Sequence, residues 1–359
     1  MKLKFKHQAF QREAARAVTD VFVGQPKTDG FTYRHDRGQG FISAFEEDFL
    51  GVGNEPLRID QATLVDNIRR VQIPQDIEPI EHIVGKEELR LTIEMETGTG
   101  KTYTYIKTMY ELHKRYGWSK FIIVVPSIAI REGVVKSLDV MQDHFAEEYG
   151  QRLQYFVYNS ANLTPIDAFA MDNRLHVMVI NTQAFNATGK DARRFKMKLE
   201  DFGYRRPVDV IAATHPILII DEPQSVLGAD KHNKTRAGLR EFQPLFSLLY
   251  SATHRKEDTY NQVFRLDAID ALNKKLVKKI EVLGIHQKGS TATNGYVYLE
   301  RIVPGKKGAA PMARLGFDQK RSNGIGQTIK AVSEGFDLYP TAASCRNTAT
   351  TTSWNASTA

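Results

Sequence analysis

The sequence has very little cysteine, with Cys345 as its one example in 359 residues. A single cysteine excludes an intramolecular disulfide framework and fits a reducing compartment. Long apolar runs are missing as well, since none reaches the roughly 18 residues of a membrane span. The N-terminus is charged and amphipathic and carries no apolar signal core. We therefore expect a cytoplasmic protein with no membrane segment.

Several catalytic signatures are also missing. The ten histidines form no H-E-x-x-H or Cys/His pattern, and we expect no zinc site. No G-x-S-x-G sequence marks a serine nucleophile. What is present is ordinary globular composition, 42% hydrophobic and 25% charged, with a net charge of +7. That charge favours an anionic partner such as nucleic acid, but a soluble basic enzyme fits it equally well.

Apolar periodicity predicts the organisation of the chain. Residues 5–23 place apolar side chains at helical spacing, and a second helix is expected at 61–72, with an irregular excursion at 24–60 between them. From Leu91 onwards, short apolar runs alternate with helical stretches. The runs are LTIEM, FIIVV, LQYFVY, HVMVI, PILII and FSLLYS. This alternation predicts an α/β domain, a mostly parallel sheet with helices on both faces.

A glycine-rich turn follows the first of these runs in METGTGKT. Such a turn lets backbone N–H groups approach phosphate oxygens, and the next helix points its positive end at them. Lys101 would reach the β- and γ-phosphates of ATP, and the Thr102 hydroxyl would hold Mg²⁺. The pattern G-x-x-x-x-G-K-[ST] departs from its consensus at Met95, where glycine is usual. The predicted nucleotide-binding residues of the turn are Thr97, Gly98, Thr99, Gly100, Lys101 and Thr102.

Two adjacent carboxylates end the run HPILIIDEPQ. Asp221 and Glu222 would sit at the carboxyl end of a strand, the edge at which parallel α/β sheets bind ligands. One acid there holds Mg²⁺ and its neighbour orients the attacking water, so we assign Asp221 to the metal and Glu222 to the water. An Asp-Glu pair alone is more often an acidic helix cap. Together with Lys101, the pair predicts a catalytic site.

Three further strand ends carry small polar side chains. LLYSAT places Ser251 and Thr253 where their hydroxyls could contact the acidic pair. VVPSIAIREG ends a strand with Pro126 and Ser127, and VMVINTQAF ends another with Thr182; these segments could contact a phosphodiester backbone. Each is weak alone, because serine and threonine at strand ends commonly cap helices. Their shared position strengthens the set.

These segments together resemble the first RecA-like lobe of a superfamily 2 helicase, and more narrowly the restriction (Res) subunit of type III restriction-modification systems. The matching segments are METGTGKT, VVPSIAIREGV, INTQAF, DEPQ and YSATHRKEDTYNQVFRLDAIDA. The resemblance implies a RecA-like P-loop fold, with ATP and Mg²⁺ as cofactors. It also implies that Gln224, Ser251 and Thr253 couple the nucleotide to movement. Gln11, next to Phe10, is similar to the glutamine that helicases place on adenine, although Phe10 also fits the apolar stripe of its helix.

The resemblance further implies double-stranded DNA and a Mod methyltransferase subunit as partners, and DNA cleavage by a separate nuclease domain. On this basis we expect an extension of the motor lobe at 1–90, the ATP-binding lobe at 91–255, a partial linker or start of a following region at 256–339 and a tail at 340–359. No Glu-x-Lys tripeptide of a nuclease site occurs, no second set of helicase motifs is found, and residues 305–326 suggest a basic loop rather than an arginine-bearing helix. We therefore expect ATPase activity of this chain by itself to be weak or absent.

The composition of the tail allows two interpretations, a flexible native segment or a reading frame lost near Pro340. Two basic segments, 190–206 and 274–288, could contact DNA phosphates, with Arg193, Arg194 and Lys196 in the first. Solvated helix faces would explain both segments equally well. A non-catalytic protein that binds nucleotide and docks on Mod or DNA is the alternative function.

Overall fold

A computed structural model describes residues 5–36, 38, 50–85, 88–186, 194–228, 234–255, 259–277, 297–304, 310–321 and 324–336. The chain divides into two compact units, Met1–Lys279 and Ile280–Ala359. The predicted tail at 340–359 and residues 278–288 of the second basic segment lie outside the described residues.

The strands of the first unit form a small and a large sheet. In chain order they are β1 Phe31–Arg34, β2 Leu50–Gly53, β3 Arg90–Met95, β4 Lys120–Val125, β5 Gln154–Val157, β6 His176–Asn181, β7 Ile217–Asp221, β8 Ser247–Ser251 and β9 Gln262–Leu266. The large sheet has seven strands in the order β5-β6-β4-β7-β8-β3-β9, and every pairing is parallel. The α/β fold and all six predicted strands are therefore confirmed.

Within the described residues the first unit has ten α-helices with defined bounds and two 3-10 helices, Ile73–Gln75 and Glu200–Phe202. The α-helices are α1 Ala9–Asp20, α2 Gln61–Gln72, α3 Lys101–Tyr116, α4 Ile128–Tyr149, α5 Thr164–Met171, α6 Gln183–Asn186, α7 Pro207–Ala212, α8 Pro223–Leu227, α9 Lys234–Glu241 and α10 Ala268–Asn273. Helix α2 is capped by the Asp60 side chain, which accepts the Thr63 N–H. Both helices predicted from periodicity are present, the first one shorter than expected. None of these helices combines the length and apolarity needed to cross a bilayer.

Both faces of the large sheet are buried. Every residue of β4 is buried, and alternate side chains enter two different apolar clusters, with Ile123 in one and Ile122 in the other. Helices α1, α3 and α4 contribute to the cluster of Ile123, whereas α5 and α7 contribute to the cluster of Ile122. Side chains alternate across a strand, so an unbroken apolar run places apolar groups on both faces. That is why these runs form a sheet covered by helices.

The described part of the excursion at residues 24–60 contains two strands that were not predicted. Strands β1 and β2 pair antiparallel within it, from Phe31 opposite Gly53 to Arg34 opposite Leu50. Strand β9 lies beyond residue 255, the predicted end of the lobe, yet it pairs with β3 in the large sheet. Its sequence QVFRL is short and interrupted by arginine, so its apolar signal is weak.

The second unit contains three antiparallel strands in sequential order, β10 Val297–Val303, β11 Met312–Arg321 and β12 Gly324–Val332. The small apolar core of this unit is formed by side chains of β11 and β12, namely Ala313, Leu315, Phe317 and Val332. The interpretation of residues 305–326 as a basic loop was wrong for β11 and the start of β12. Alternation of apolar side chains at 313, 315 and 317 is the strand signal, which Arg314 and Gly316 between them and the basic residues further along obscured.

Candidate active site

The glycine-rich turn leaves the carboxyl end of β3 and enters α3. Gly98 and Gly100 have φ of 80° and 88°, a conformation that side chains with a Cβ rarely adopt. A Cβ on Gly100 would lie 2.5 Å from Gln11 Nε2, whereas nothing lies within 4 Å of a Cβ on Gly98. The turn is therefore packed on the Gln11 side and open at Gly98, as a phosphate cradle requires.

Contacts within the protein hold the turn in shape. The Thr99 hydroxyl donates to the Glu96 carbonyl oxygen at 2.6 Å, and the Thr97 N–H donates to Glu96 Oε1 at 2.7 Å. Gln11 Nε2 donates to the Thr99 carbonyl oxygen at 2.9 Å. Gln11 therefore lies against the backbone of the turn, and its contact with adenine stays a prediction.

The acidic pair lies at the carboxyl end of β7, as predicted. Asp221 is the last residue of the strand, and Glu222 follows with φ of 53°. Pro223 then begins α8, and a proline at the first helical position disfavours αR geometry in the residue before it. Holding a glutamate in left-handed geometry costs about 1–2 kcal/mol. This strain turns Glu222 out of the strand direction and towards the glycine-rich turn.

The Lys101 ammonium and the Glu222 carboxylate meet in this space. Lys101 Nζ lies 3.2 Å from Glu222 Oε1, and their side chains are 12% and 28% exposed. Lys101 begins α3 and Glu222 precedes α8, 121 positions later in the chain (222 minus 101), and the sheet order brings them together. The structure therefore joins the phosphate turn and the acidic pair into one site.

The two carboxylates have different electrostatic environments. Burial, followed by the Glu222 charge, raises the pKa of Asp221 to about 6, against a partial opposing effect of Lys101. Burial also acts to raise the pKa of Glu222, but hydrogen bonding from Gln224 and the Lys101 charge outweigh it and lower that pKa. Glu222 is therefore ionised across the neutral range, whereas Asp221 needs a further cation to be fully ionised at mildly acid pH.

Ser251 connects the acidic pair to the next strand. It ends β8, which lies between β7 and β3 in the sheet. The Ser251 hydroxyl is 3.1 Å from Glu222 Oε2, 2.9 Å from Gln224 Oε1 and 2.8 Å from the Thr253 carbonyl oxygen, and it donates its proton to one of them at a time. The Thr253 N–H donates back to Ser251 Oγ at 3.2 Å. Gln224 Nε2 donates to Glu222, so the predicted coupling residues form one network with the carboxylate.

The predicted phosphodiester contacts lie at the ends of neighbouring strands β4 and β6. The Thr182 hydroxyl donates to the Pro126 carbonyl oxygen at 3.4 Å, and the Thr182 N–H donates to the Val125 carbonyl oxygen at 3.1 Å. Ser127 caps α4 by accepting the Ile130 N–H at 3.4 Å. The structure brings these residues together, and their contact with DNA stays a prediction.

The basic segment is engaged with neighbouring acids. Arg194 donates to the Ser160 carbonyl oxygen at 3.0 Å and forms an ion pair with Asp201. Lys196 forms an ion pair with Glu241. Arg193 lies outside the described residues.

One residue of the site was missed in the sequence. Tyr105 is fully buried on α3, and burial together with the Asp221 charge raises its pKa well above the ordinary value. It follows Lys101 by four positions, and residues four apart lie on the same helix face. That spacing is the signal that could have found it.

The donor set fits a nucleotide with a hard cation. The Thr102 hydroxyl and the Asp221 carboxylate are oxygen ligands, which Mg²⁺ prefers. The first N–H groups of α3 have no partner within the helix, and with the open turn at Gly98 they suit phosphate oxygens. The residues present therefore fit a magnesium–nucleotide complex.

Comparison with known proteins identifies a family and two similar proteins. The profile of the family "Type III restriction enzyme, res subunit" matches residues 54–256. The chain is 32% identical over 265 residues to the EcoPI Res subunit of Escherichia phage P1, covering 67% of this chain and 26% of that protein. It is 32% identical over 246 residues to the EcoP15I Res subunit of Escherichia coli, covering 64% and 25%.

A solved structure, the Sulfolobus solfataricus SWI2/SNF2 ATPase core in complex with dsDNA, is similar with a TM-score of 0.32 and 13% identity, over 55% of this chain and 33% of that one. The chain spans about a quarter of the length of the Res subunits that it matches. The family profile covers more than half of the chain and includes the glycine-rich turn, the acidic pair and Ser251. The chain belongs to the family of type III restriction enzyme Res subunits.

Proposed function

We propose that this chain is the ATP-binding motor lobe of a type III restriction endonuclease and that it acts on double-stranded DNA together with a Mod methyltransferase subunit. The observation that carries the proposal is the 3.2 Å contact between Lys101 Nζ and Glu222 Oε1. It supports a single site in which a phosphate-binding lysine lies in direct contact with an ionised carboxylate.

Each residue has a chemical role in this proposal. Lys101 binds the β- and γ-phosphates, while Thr102 and Asp221 hold Mg²⁺, which neutralises the developing phosphate charge when bound. Glu222 orients the attacking water and polarises it. Nucleotide phosphates must displace the Glu222 carboxylate from Lys101, and this exchange frees Glu222 to face the water.

Hydrolysis by this chain by itself is proposed to be weak. An arginine that reaches the γ-phosphate raises the rate by about 10³ to 10⁵ in related phosphoryl-transfer enzymes. In the described part of the chain, Glu222 contacts Lys101, Gln224 and Ser251, and none of these is an arginine. We therefore propose that full turnover requires groups from the rest of a Res protein.

A second candidate is a non-catalytic module that binds nucleotide and docks on Mod or DNA. The described contacts of Glu222 favour it, because they include Lys101, Gln224 and Ser251 but no arginine, and such a site can bind nucleotide without fast hydrolysis. Replacement of Glu222 separates the two candidates, since docking does not need an attacking water.

The test is Glu222→Gln, assayed for ATP hydrolysis with and without double-stranded DNA and for ATP binding by equilibrium dialysis. We expect a loss of at least about 100-fold in whatever turnover the chain supports, because positioned proton transfer contributes about 10² to 10⁴. ATP affinity should stay within a few-fold of the original.

Glu132→Gln is the matched control, since Glu132 is a mostly exposed glutamate on α4. Turnover that survives in Glu222→Gln would refute the assigned role of Glu222. Absence of ATP binding in the unchanged chain would refute the proposed function as a whole.

A further inference from the structure

Three side chains that the proposed nucleotide site does not use face one another beside the start of α1. His7 precedes α1, and His144 and Glu148 lie four residues apart on α4, hence on one helix face. One nitrogen or oxygen of each lies within 4.8 Å of the others. His7 Nδ1 and His144 Nε2 are each 4.0 Å from Glu148 Oε2.

Neighbouring groups leave this oxygen available. The other carboxylate oxygen of Glu148 accepts from the Lys107 ammonium, so Oε2 remains for the two imidazoles. The His7 and His144 rings lie 5.1 Å apart between centroids, and the Tyr103 hydroxyl is 2.9 Å from His144 Nε2. The donors are therefore already gathered by contacts that do not need a ligand.

An adjoining cavity of about 220 Å³ gives the cluster access to solvent and solutes. His7 and Glu148 line it, with Arg12, Tyr103 and Lys107 among the other walls. The His7 side chain is 64% exposed, whereas those of His144 and Glu148 are 13% and 27% exposed. Two donors are thus fixed on a helix, and the third lies at the surface.

We propose that His7, His144 and Glu148 bind one divalent first-row transition-metal ion, with Zn²⁺ as the probe. Two imidazoles and a carboxylate form a donor set that Zn²⁺ prefers and that Mg²⁺ does not. At Zn–N bonds of about 2.1 Å, tetrahedral donors lie about 3.4 Å apart. The two 4.0 Å separations must therefore close by about 0.6 Å, and the separation of the two imidazoles, within 4.8 Å, by up to about 1.4 Å. Movement of the exposed His7 supplies that closure, and the fourth position opens to the cavity.

The surrounding charges set the expected strength. The Lys107 ammonium on Glu148 opposes a further cation. The ion must also replace the hydrogen bond between Tyr103 and His144. We therefore expect weaker binding than that of a closed structural zinc site with four protein ligands.

The consequence concerns the anchoring of α1. That helix begins at Ala9, two residues after His7, and its Gln11 contacts the glycine-rich turn. A bound ion would tie the start of α1 to α4. The metal site does not depend on ATP hydrolysis and stands independently of the proposed function.

The test is calorimetric titration of the chelator-treated full chain with Zn²⁺, followed by Co²⁺ titration monitored by absorption. We expect one ion per chain and a Co²⁺ spectrum typical of mixed nitrogen and oxygen ligands. His7→Ala should weaken binding at least tenfold, and Glu148→Gln should do the same. Zn²⁺ should raise the melting temperature of the original chain but not that of His7→Ala.

His82→Ala is the control, because His82 is exposed and stands outside the cluster. His7→Ala is the decisive variant, since His7 is mostly exposed and its removal leaves no buried gap. Zn²⁺ binding that persists unchanged in His7→Ala, with a matching circular dichroism spectrum, would overturn the proposal. Absence of stoichiometric binding by the original chain would overturn it too.

Discussion

The two charged regions of the large-sheet unit differ in what their charges contact. At the carboxyl edge of the sheet, Lys101 at the start of α3 and Glu222 just after β7 meet beside the glycine-rich turn, which is open at Gly98. In the basic segment, Arg194 and Lys196 are each paired with a nearby acid. The Lys101–Glu222 pair lies beside an open turn where phosphate can take the place of the carboxylate. The cations of the basic segment are instead partly satisfied by their acidic partners. A cluster of basic residues in the sequence is therefore weaker evidence for a binding site than the position of a charged group at the carboxyl edge of the sheet.

The largest effect on ATP binding is expected at the glycine-rich turn. Lys101→Ala should weaken ATP binding by about 100-fold or more, because charge-assisted hydrogen bonds contribute about 1.5–3 kcal/mol each and the ammonium faces two phosphates. Fluorescent-nucleotide titration measures it. Lys114→Ala, an exposed lysine on the same helix, should leave the affinity unchanged. An equal loss of ATP affinity in both variants would contradict a specific role of the Lys101 ammonium in binding phosphate.

The ionised Asp221 carboxylate, which is proposed to hold Mg²⁺, should lower the stability of the folded chain. The pKa of Asp221 in the folded chain is about 6, against an ordinary value of 3.8. The folded chain therefore binds this proton more tightly than the unfolded chain. The destabilisation is absent below pH 3.8 and fully present above pH 6.

We therefore expect Asp221→Asn to raise the free energy of unfolding by about 2–3 kcal/mol at pH 7.5, and by progressively less as pH falls from 6 towards 4. Urea unfolding with a chelator present measures it. Asp66→Asn replaces a mostly exposed aspartate and should show no such pH trend. A gain in stability that did not depend on pH would contradict burial of charge as the cause.

The backbone of the turn should be sensitive where that of a nearby helix is tolerant. Gly100→Ala places a Cβ 2.5 Å from Gln11 Nε2 at φ of 88°, and we expect a destabilisation of about 1–2 kcal/mol with weaker ATP binding. Gly133→Ala in α4 meets nothing within 4 Å and should stabilise the chain by up to about 1 kcal/mol. Thermal and urea unfolding of both variants measure the difference. Two changes of the same sign would be inconsistent with this account of the turn.

The smallest effect is expected in the basic segment. Each lysine or arginine contact with a phosphate contributes about 0.9 to the slope of log affinity against log salt. We expect Arg194→Ala with Lys196→Ala to lower the slope by less than about one such contact, because both cations are paired internally. Filter binding to double-stranded DNA over a salt series measures it. A drop of two full contacts would show instead that DNA displaces Asp201 and Glu241.

Most of the sheet was predictable because its strands are uninterrupted apolar runs. Strand β7 is buried throughout and was recognised from ILII alone. Strand β9 was missed because Arg265 interrupts a five-residue run, and β11 because Arg314 and Gly316 separate its apolar residues and polar residues follow them. In both cases pairing with a neighbouring strand decided the structure, and that pairing has no local signal.

The sequence by itself determined the chemistry of the site: a glycine-rich turn ending in Lys101 and Thr102, two carboxylates after an apolar run, and serine and threonine at other strand ends. Those patterns are local, since each depends on residues within one turn or strand. Only the tertiary structure decided which groups meet. The strand order placed Glu222 beside Lys101 and Ser251 between their strands. Helix packing brought His7 to the His144–Glu148 pair, from which it is remote in the sequence. Contacts between residues far apart in the chain follow from packing and sheet order, and these are properties of the whole unit.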